Sequence, residues 1–173
     1  AVNTSPATQR LLNNSQHRIN SMSLIHEMLY QSDKLSEVNY HDYLKQLINK
    51  LIWSFKGRNH RIQIHLKVPE IYLSIDTAIP LSLLINEVVT NALKYAFTEE
   101  KNGLLSLNLQ EVAPKQYTLF IGDDGPGLPP GFNWKKSKSL GMKLIFRLTK
   151  QISGFIALDD QIEGTHYFLR FKD

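Results

Sequence analysis

The hydrophobic pattern of this chain changes period near residue 57, and that change limits how the chain can be divided. Before it, apolar residues recur at helical steps. Leu12, Ile19, Met22, His26 and Leu29 make one stripe, and Tyr40, Leu44, Leu47, Leu51 and Phe55 make another. Ser5 followed by Pro6 suits a helix start, because a side-chain oxygen can cap free N–H groups and proline's fixed φ fits the first turn. Gln31, Ser32 and Asp33 break the pattern; a second helix is expected from near Asn39, ending at Gly57. Two amphipathic helices cannot bury their stripes alone. They must pack on each other, on a further helix or on a second subunit.

After Gly57 the period is two. Ile62, Ile64, Leu66 and Val68 alternate with Gln63, His65 and Lys67, as in a strand with one buried face. Further strands are expected over Ile71–Ile75, Leu104–Gln110, Tyr117–Ile121, Phe155–Leu158 and His166–Phe171. Helices are expected over Asp76–Phe97 and, capped by Ser139, over Leu140–Ser153. Helices interleaved with largely antiparallel strands predict an α/β (α+β) two-layer sandwich, with helices on one face of a mixed sheet. The expected division is a helical segment over 1–57 and a compact domain over 58–173.

Composition narrows the function. Of 173 residues, 42% are hydrophobic and 21% charged, so the chain can bury a core and is no disordered polyelectrolyte. Its apolar runs fall far short of the roughly 20 residues that cross a bilayer. No leader is visible in Ala1–Ser5. Cysteine is absent, which removes disulfides, thiolate metal sites and thiol nucleophiles, and fits a cytoplasmic setting. The net charge of +4 is too small and dispersed to argue for nucleic acid, and it suits a small anionic ligand as well.

Three segments can carry chemistry. In Asn86–Tyr95, helical spacing puts Glu87, Asn91 and Lys94 on one face, with Leu84, Val88 and Leu93 free to face the core. A carboxylate, an amide oxygen and an ammonium group could handle a proton, a hard metal ion and a phosphate. The same pattern also describes an ordinary solvated helix face. Asp123–Pro129 follows an apolar strand; Gly125 and Gly127 permit close backbone approach, and an acid at the strand end can accept from an exocyclic amine. It also reads as a solvent-exposed turn. In Ser139–Ile145 a small-residue turn feeds a helix whose first amides favour phosphate, with Lys135, Lys136 and Lys138 just upstream. It equally reads as a plain serine cap.

In this order and spacing the three segments resemble the asparagine box and the two glycine boxes of the GHKL ATPase superfamily, which shares the Bergerat-type fold. The wider stretch resembles sensor histidine kinases of the HWE-related subfamily. It runs through Ile75–Leu81, Asn86–Phe97, Asp123–Pro129, Ser139–Ile145 and Gly164–Thr165, and so covers nearly all of residues 58–173. The resemblance implies ATP and Mg²⁺ as ligands. It implies Asn91 as the Mg²⁺ ligand, Glu87 as the acid that helps activate an attacking imidazole, and Lys94 as a phosphate contact. Asp123 would read adenine, Gly125 and Gly127 would shape the pocket floor, Gly141 would let the lid's end approach the phosphates, and Thr165 would back the adenine. The segment from about Pro129 to Lys138 would be a short, mobile lid without the aromatic box of longer lids. Homodimerisation through the helical segment and a response-regulator partner are further implications. Rival readings are a GHKL ATPase of another kind, such as an anti-sigma-type serine kinase or a chaperone-like ATPase, or a module that keeps the fold for interaction only.

A histidine kinase needs a phosphoacceptor histidine. His60, His65 and His166 fall in or beside expected strands, His41 at a helix start and His26 on an apolar stripe. His17-Arg18 superficially looks like an acceptor box. However, Ser15–Ser32 resembles more closely the second hairpin helix of the subfamily, which would put the acceptor on a preceding helix absent from this chain. Residues 1–32 are then expected to pair with another copy of the chain or to be poorly ordered.

Overall fold

The computed structural model describes residues 36–54, 62–97 and 102–173, with isolated positions between Ser5 and Glu27. Those from Thr8 to Glu27 are helical wherever described. Ser5 caps this segment as expected: its Oγ accepts from the Thr8 amide at 3.2 Å and its carbonyl from the Gln9 amide at 2.9 Å. His17, His26, Phe55, Gly57 and His60 lie outside the described residues, as does most of the segment to which the pairing-or-disorder expectation applies.

The main sheet has five strands: β2 (Ile62–Lys67), β4 (Gly103–Ala113), β5 (Gln116–Asp123), β6 (Phe155–Asp159) and β7 (Thr165–Lys172). Their spatial order is β2-β4-β5-β7-β6, with β2 parallel to β4 and every other pair antiparallel. Leu105, Leu107 and Leu109 of β4, Leu119 and Ile121 of β5, and Tyr167, Leu169 and Phe171 of β7 are buried on one face. The register aligns them, since Leu107 pairs with Ile121 and Ile121 with Tyr167. The opposite face carries exposed Gln63, His65 and Phe120. This is the mixed, one-sided sheet that the alternating pattern predicts.

Helix α2 (Ile75–Asn91) lies at the centre of the helical layer, between α1 (Tyr40–Ser54) and α3 (Leu140–Gln151). Leu81, Leu84, Ile85 and Val89 are fully buried, and the polar Ser82, Asn86, Glu87 and Thr90 are buried with them. A helix apolar nearly all round is a core helix, so α2 is the element on which the others pack.

Two expectations change here. A short strand, β1 (Glu37–Asn39), precedes α1 and pairs antiparallel with β3 (Tyr72–Ser74) in a separate two-stranded sheet. Helix α1 then buries Tyr40, Tyr43, Leu44, Leu47, Ile48 and Leu51. Ser82 on α2 donates to the Ala78 carbonyl, so the Tyr40 hydroxyl donates to Ser82 Oγ, at 3.1 Å. The boundary expected at residue 57 therefore cuts through a shared core. The amphipathic stripe of α1 said that something must cover it, and α2 does. The second change is at the end of α2. The expected helix to Phe97 is α-helical only to Asn91 and continues as a π turn over Ala92–Ala96.

The start of α2 is held from far away in the sequence. The Ser74 amide donates to Asp173 Oδ1 at 3.1 Å, and the Ser74 hydroxyl donates to the same oxygen. The Asp173 amide in turn bonds the Lys115 carbonyl at 3.0 Å. A carboxylate at a helix N-terminus satisfies free N–H groups and meets the positive end of the dipole. Asp173→Ala is expected to lower stability by about 1–2 kcal/mol. Urea denaturation should show a lower midpoint with an unchanged slope.

Candidate active site

The site is built where α2, the end of β5 and the start of α3 meet. Glu87 and Asn91 lie one turn apart on α2; Glu87 is buried and Asn91 half-buried. Gly141, in the first turn of α3, rests directly on them. A Cβ at this position would lie 3.2 Å from Glu87 Oε2 and 3.8 Å from Asn91 Nδ2. The missing side chain is what lets the N-terminus of α3 come this close. Ser139 Oγ accepts from the Met142 amide at 3.3 Å, so the helix begins where the sequence predicts.

At the other end of the site, Asp123 closes β5. It pairs with Leu105 on one side and Thr165 on the other, which turns its side chain toward the buried face. Burial raises its pKa above the ordinary value of 3.8. The Gly125 and Thr165 amides, which donate to the carboxylate, and His166 pull it down, and Asp124 pushes it up. The Gly125 amide lies 3.0 Å from Oδ1. Burial wins, so this carboxylate remains under-solvated despite two amide donors. Gly125 is needed for a second reason: a Cβ would lie 2.5 Å from the Ala96 Cβ, so the turn after β5 lies flat against the π turn. Gly127 has φ 73°, and Thr165 is half-buried beside Asp123.

Two side chains join the ends. The Tyr167 hydroxyl donates to Met142 Sδ at 3.8 Å, and Met142 is the neighbour of Gly141. Burial pushes Tyr167 up to about pKa 12, helped by the charge of Asp123. Asn91 and Glu87 thus touch the start of α3, and that start touches a tyrosine under the field of Asp123. The sites expected from three distant segments converge on one region.

Lys94 sits three residues beyond Asn91 in the π turn, where the hydrogen-bond step is five residues. Sequence reasoning also missed Tyr167 and Trp134, which packs beside it. An aromatic residue one strand away from an acid carries no local signal.

The donor set suits a hard cation only in part. Among the described residues no group of three or more His, Asp or Glu could hold a metal ion. An amide oxygen and a neighbouring carboxylate beside open space fit Mg²⁺ only where a ligand's phosphates and water complete the shell.

The known proteins that this chain is similar to are histidine kinases. Residues 2–55 match the HisKA_2 family model, described as histidine kinase. The sensor histidine kinase PdtaS of Mycobacterium tuberculosis is 29% identical over 160 residues, which is 90% of this chain and 31% of that protein. The blue-light-activated histidine kinase 2 of Erythrobacter litoralis is 28% identical over 89 residues, 51% of this chain and 26% of that protein. The solved histidine kinase domain of the Erythrobacter litoralis EL346 blue-light activated histidine kinase superimposes with TM-score 0.82 at 20% identity, covering 92% of this chain and 74% of that one. The catalytic domain of the histidine kinase ThkA gives 0.58 at 16% identity, over 79% of this chain and 95% of that one.

The chain is similar to the HisKA_2 family over residues 2–55 and to sensor histidine kinases over most of its length. Its fold is that of their catalytic domain, and it spans between about a quarter and a third of the curated relatives it matches. Among the described residues no helix is long and apolar enough to cross a membrane.

The raised pKa of Asp123 has a consequence for stability. The folded protein holds this proton more tightly than the unfolded chain does, so stability is lost as pH rises from about 4 through the folded value. Asp123→Asn removes that loss. Relative to the parent protein, the variant is expected to be more stable at pH 7 than at pH 4. Urea denaturation of both proteins at the two pH values reads the difference, and the opposite slope counts against the burial argument.

Proposed function

We propose that this chain is the ATP-binding catalytic portion of a two-component sensor histidine kinase. The observation that carries the reading is the convergence of Asn91, Glu87 and Asp123 through the start of α3. Asp123 is an under-solvated acceptor, and the six-amino group of adenine supplies the missing donor. Guanine presents a carbonyl there and is repelled. Thr165 backs the base, and Gly125 and Gly127 leave room for it. Toward the other end, Asn91 and the phosphates of the nucleotide would hold Mg²⁺, which would neutralise charge on the triphosphate. The amides of the first turn of α3 and Gly141 face the phosphates. Lys94 is a candidate phosphate contact.

In the transfer, the bond from the γ-phosphorus to the β,γ-bridging oxygen breaks, and a bond from phosphorus to an imidazole nitrogen forms. Glu87 takes the imidazole proton, and ADP leaves with the bridging oxygen. Catalysis of this kind rests on positioning and charge neutralisation.

The acceptor imidazole is assigned to a histidine outside this chain. Two of the described histidines are engaged with backbone: His41 Nδ1 lies 2.7 Å from the Val68 carbonyl, and His166 Nε2 lies 2.9 Å from that of Glu163. Within the chain, His17 is the candidate that its His-Arg pair singles out. A homodimer formed through the helical segment, a response regulator as the next phosphoryl acceptor and a cytoplasmic location complete the reading. The division is a helical segment over 1–57 and a catalytic domain over 58–173, a reading supported by the family match over residues 2–55, with α1 packed on α2 across it. A GHKL ATPase of another kind is disfavoured by the family match over residues 2–55.

Calorimetry with Mg²⁺-ATP tests the site. Asp123→Asn is expected to weaken binding by at least about tenfold, the loss of one buried hydrogen bond to a charged group. Asn91→Ala is expected to remove the Mg²⁺-dependence of nucleotide affinity. Binding unchanged in both variants ends the nucleotide reading. Incubation with γ-labelled ATP tests the acceptor separately, since acid-labile label on His17 overturns its exclusion.

A further inference from the structure

The seventeen residues from Asp124 to Leu140 link β5 to the start of α3, and only one of them is buried. That residue is Trp134, at 9% exposure. Its ring stacks on Phe146 of α3, with centroids 5.0 Å apart and planes at 25°. It meets Tyr167 of β7 edge-on, at 5.8 Å and 65°. Phe146 and Tyr167 flank the same helix start that rests on Glu87 and Asn91. Trp134 opens a short 3-10 turn, Trp134–Lys136, in which Asn133 Oδ1 accepts from the Lys136 amide at 3.2 Å. From there the chain runs through Ser137, whose Oγ bonds Ser139 Oγ at 3.1 Å, and Ser139 caps α3. On the other side, Pro126 to Asn133 makes one internal backbone bond, from the Phe132 amide to the Pro129 carbonyl.

We infer that Trp134 is a positioning residue that pins this loop and fixes the arm 135–139 beside the phosphate end of the site. This rests on the nucleotide reading above and deepens it. Leu128 packs against the core on the other side of the loop, whereas residues 135–139 have no buried side chain of their own, so the position of that arm depends on the Trp134 ring. The fixed arm carries Lys135, Lys136 and Lys138, and Lys138 immediately precedes the cap of α3. Lys135 Nζ lies 5.9 Å from the Trp134 ring centroid, so the ring also holds the first of these cations. Pinning the arm removes the entropy cost of ordering these side chains when a polyphosphate binds. The anchor therefore acts on the phosphates and not on the base, which Asp123 reads from the opposite end.

The test uses Trp134→Ala, Trp134→Phe and Phe146→Ala, the last removing the stacking partner from outside the loop. In Trp134→Ala, affinity for Mg²⁺-ATP by calorimetry is expected to fall about tenfold, while affinity for adenosine changes by less than about twofold. Phe146→Ala should show the same split, and Trp134→Phe, which can still stack, should restore ATP affinity to within about threefold of the parent. Without nucleotide, trypsin cleavage after Lys135, Lys136 and Lys138, followed by mass spectrometry, should speed up about tenfold or more in both alanine variants and little in Trp134→Phe. ATP and adenosine weakening alike overturns the positioning role, and so does unchanged ATP affinity. Unchanged cleavage overturns the anchor itself. If the parent protein binds neither ligand, the nucleotide reading fails, and the cleavage series still decides whether Trp134 pins the loop.

Discussion

The site exists because the start of α3 can touch α2. Two helices ordinarily keep their axes about 8–10 Å apart, with side chains filling the space between them. At Gly141 there is no side chain, and the space goes to the Glu87 carboxylate and the Asn91 amide instead. This contact has two effects. It covers polar groups on a helix that is otherwise core, and it aims the free amides of α3 at the open end of the same region. An added Cβ at 141 would require the Glu87 carboxylate to give by a few tenths of an ångström. The hydroxyl of Tyr167 on Met142, one residue on, transmits the position of α3 to the strand that flanks Asp123. The Asp123 end and the Glu87–Asn91 end are linked through the start of α3 by these two small contacts.

The charge of Asp123 is governed first by burial. Asp123 is taken out of water and only partly repaid by the amides of Gly125 and Thr165, which is why its proton affinity rises. A fully satisfied carboxylate would have no preference for a ligand donor. An unsatisfied one costs the apo fold some stability and makes that cost available to binding, as in other sites where function and stability oppose each other. The lysines of the neighbouring loop are exposed, so their attraction to phosphate is screened by salt and depends on how well they are held. In the proposed reading, selectivity for the base would rest on a buried group, and attraction for the phosphates on exposed ones.

The sequence was legible where one rule dominated. Alternation over Ile62–Val68 fixed β2 and its buried face, and Ser139 fixed the start of α3, because period and cap are local. The order of the asparagine and glycine segments was enough to bring Asn91, Glu87, Asp123 and Gly141 together. What failed was non-local or too short. β1 has three residues, fewer than an alternating pattern needs, and it exists because β3 offers a partner. The π turn after Asn91 widens the helix by a hydrogen-bond choice that residue types do not announce. Trp134 sits among exposed, turn-forming residues, and its burial depends on Phe146 and Tyr167 lying side by side in the fold.

The role of α1 shows why domain boundaries are the hardest feature to read from hydrophobic pattern. Its stripe is wide, running through Tyr40, Tyr43, Leu44, Leu47, Ile48 and Leu51. A stripe this wide can meet two neighbours, and α1 does. Tyr40 bonds Ser82 of α2, while Leu47 and Leu51, with Lys50, line a groove of about 370 Å³ against Ser23, Leu24 and Glu27 of the helical segment, where Leu24 is 1% exposed. Pattern alone states how much surface must be covered and leaves open by which element. The family model, which runs to residue 55, groups α1 with the helical segment, whereas the packed core groups it with α2. Both groupings describe the same helix, because α1 is the wall that the two parts share.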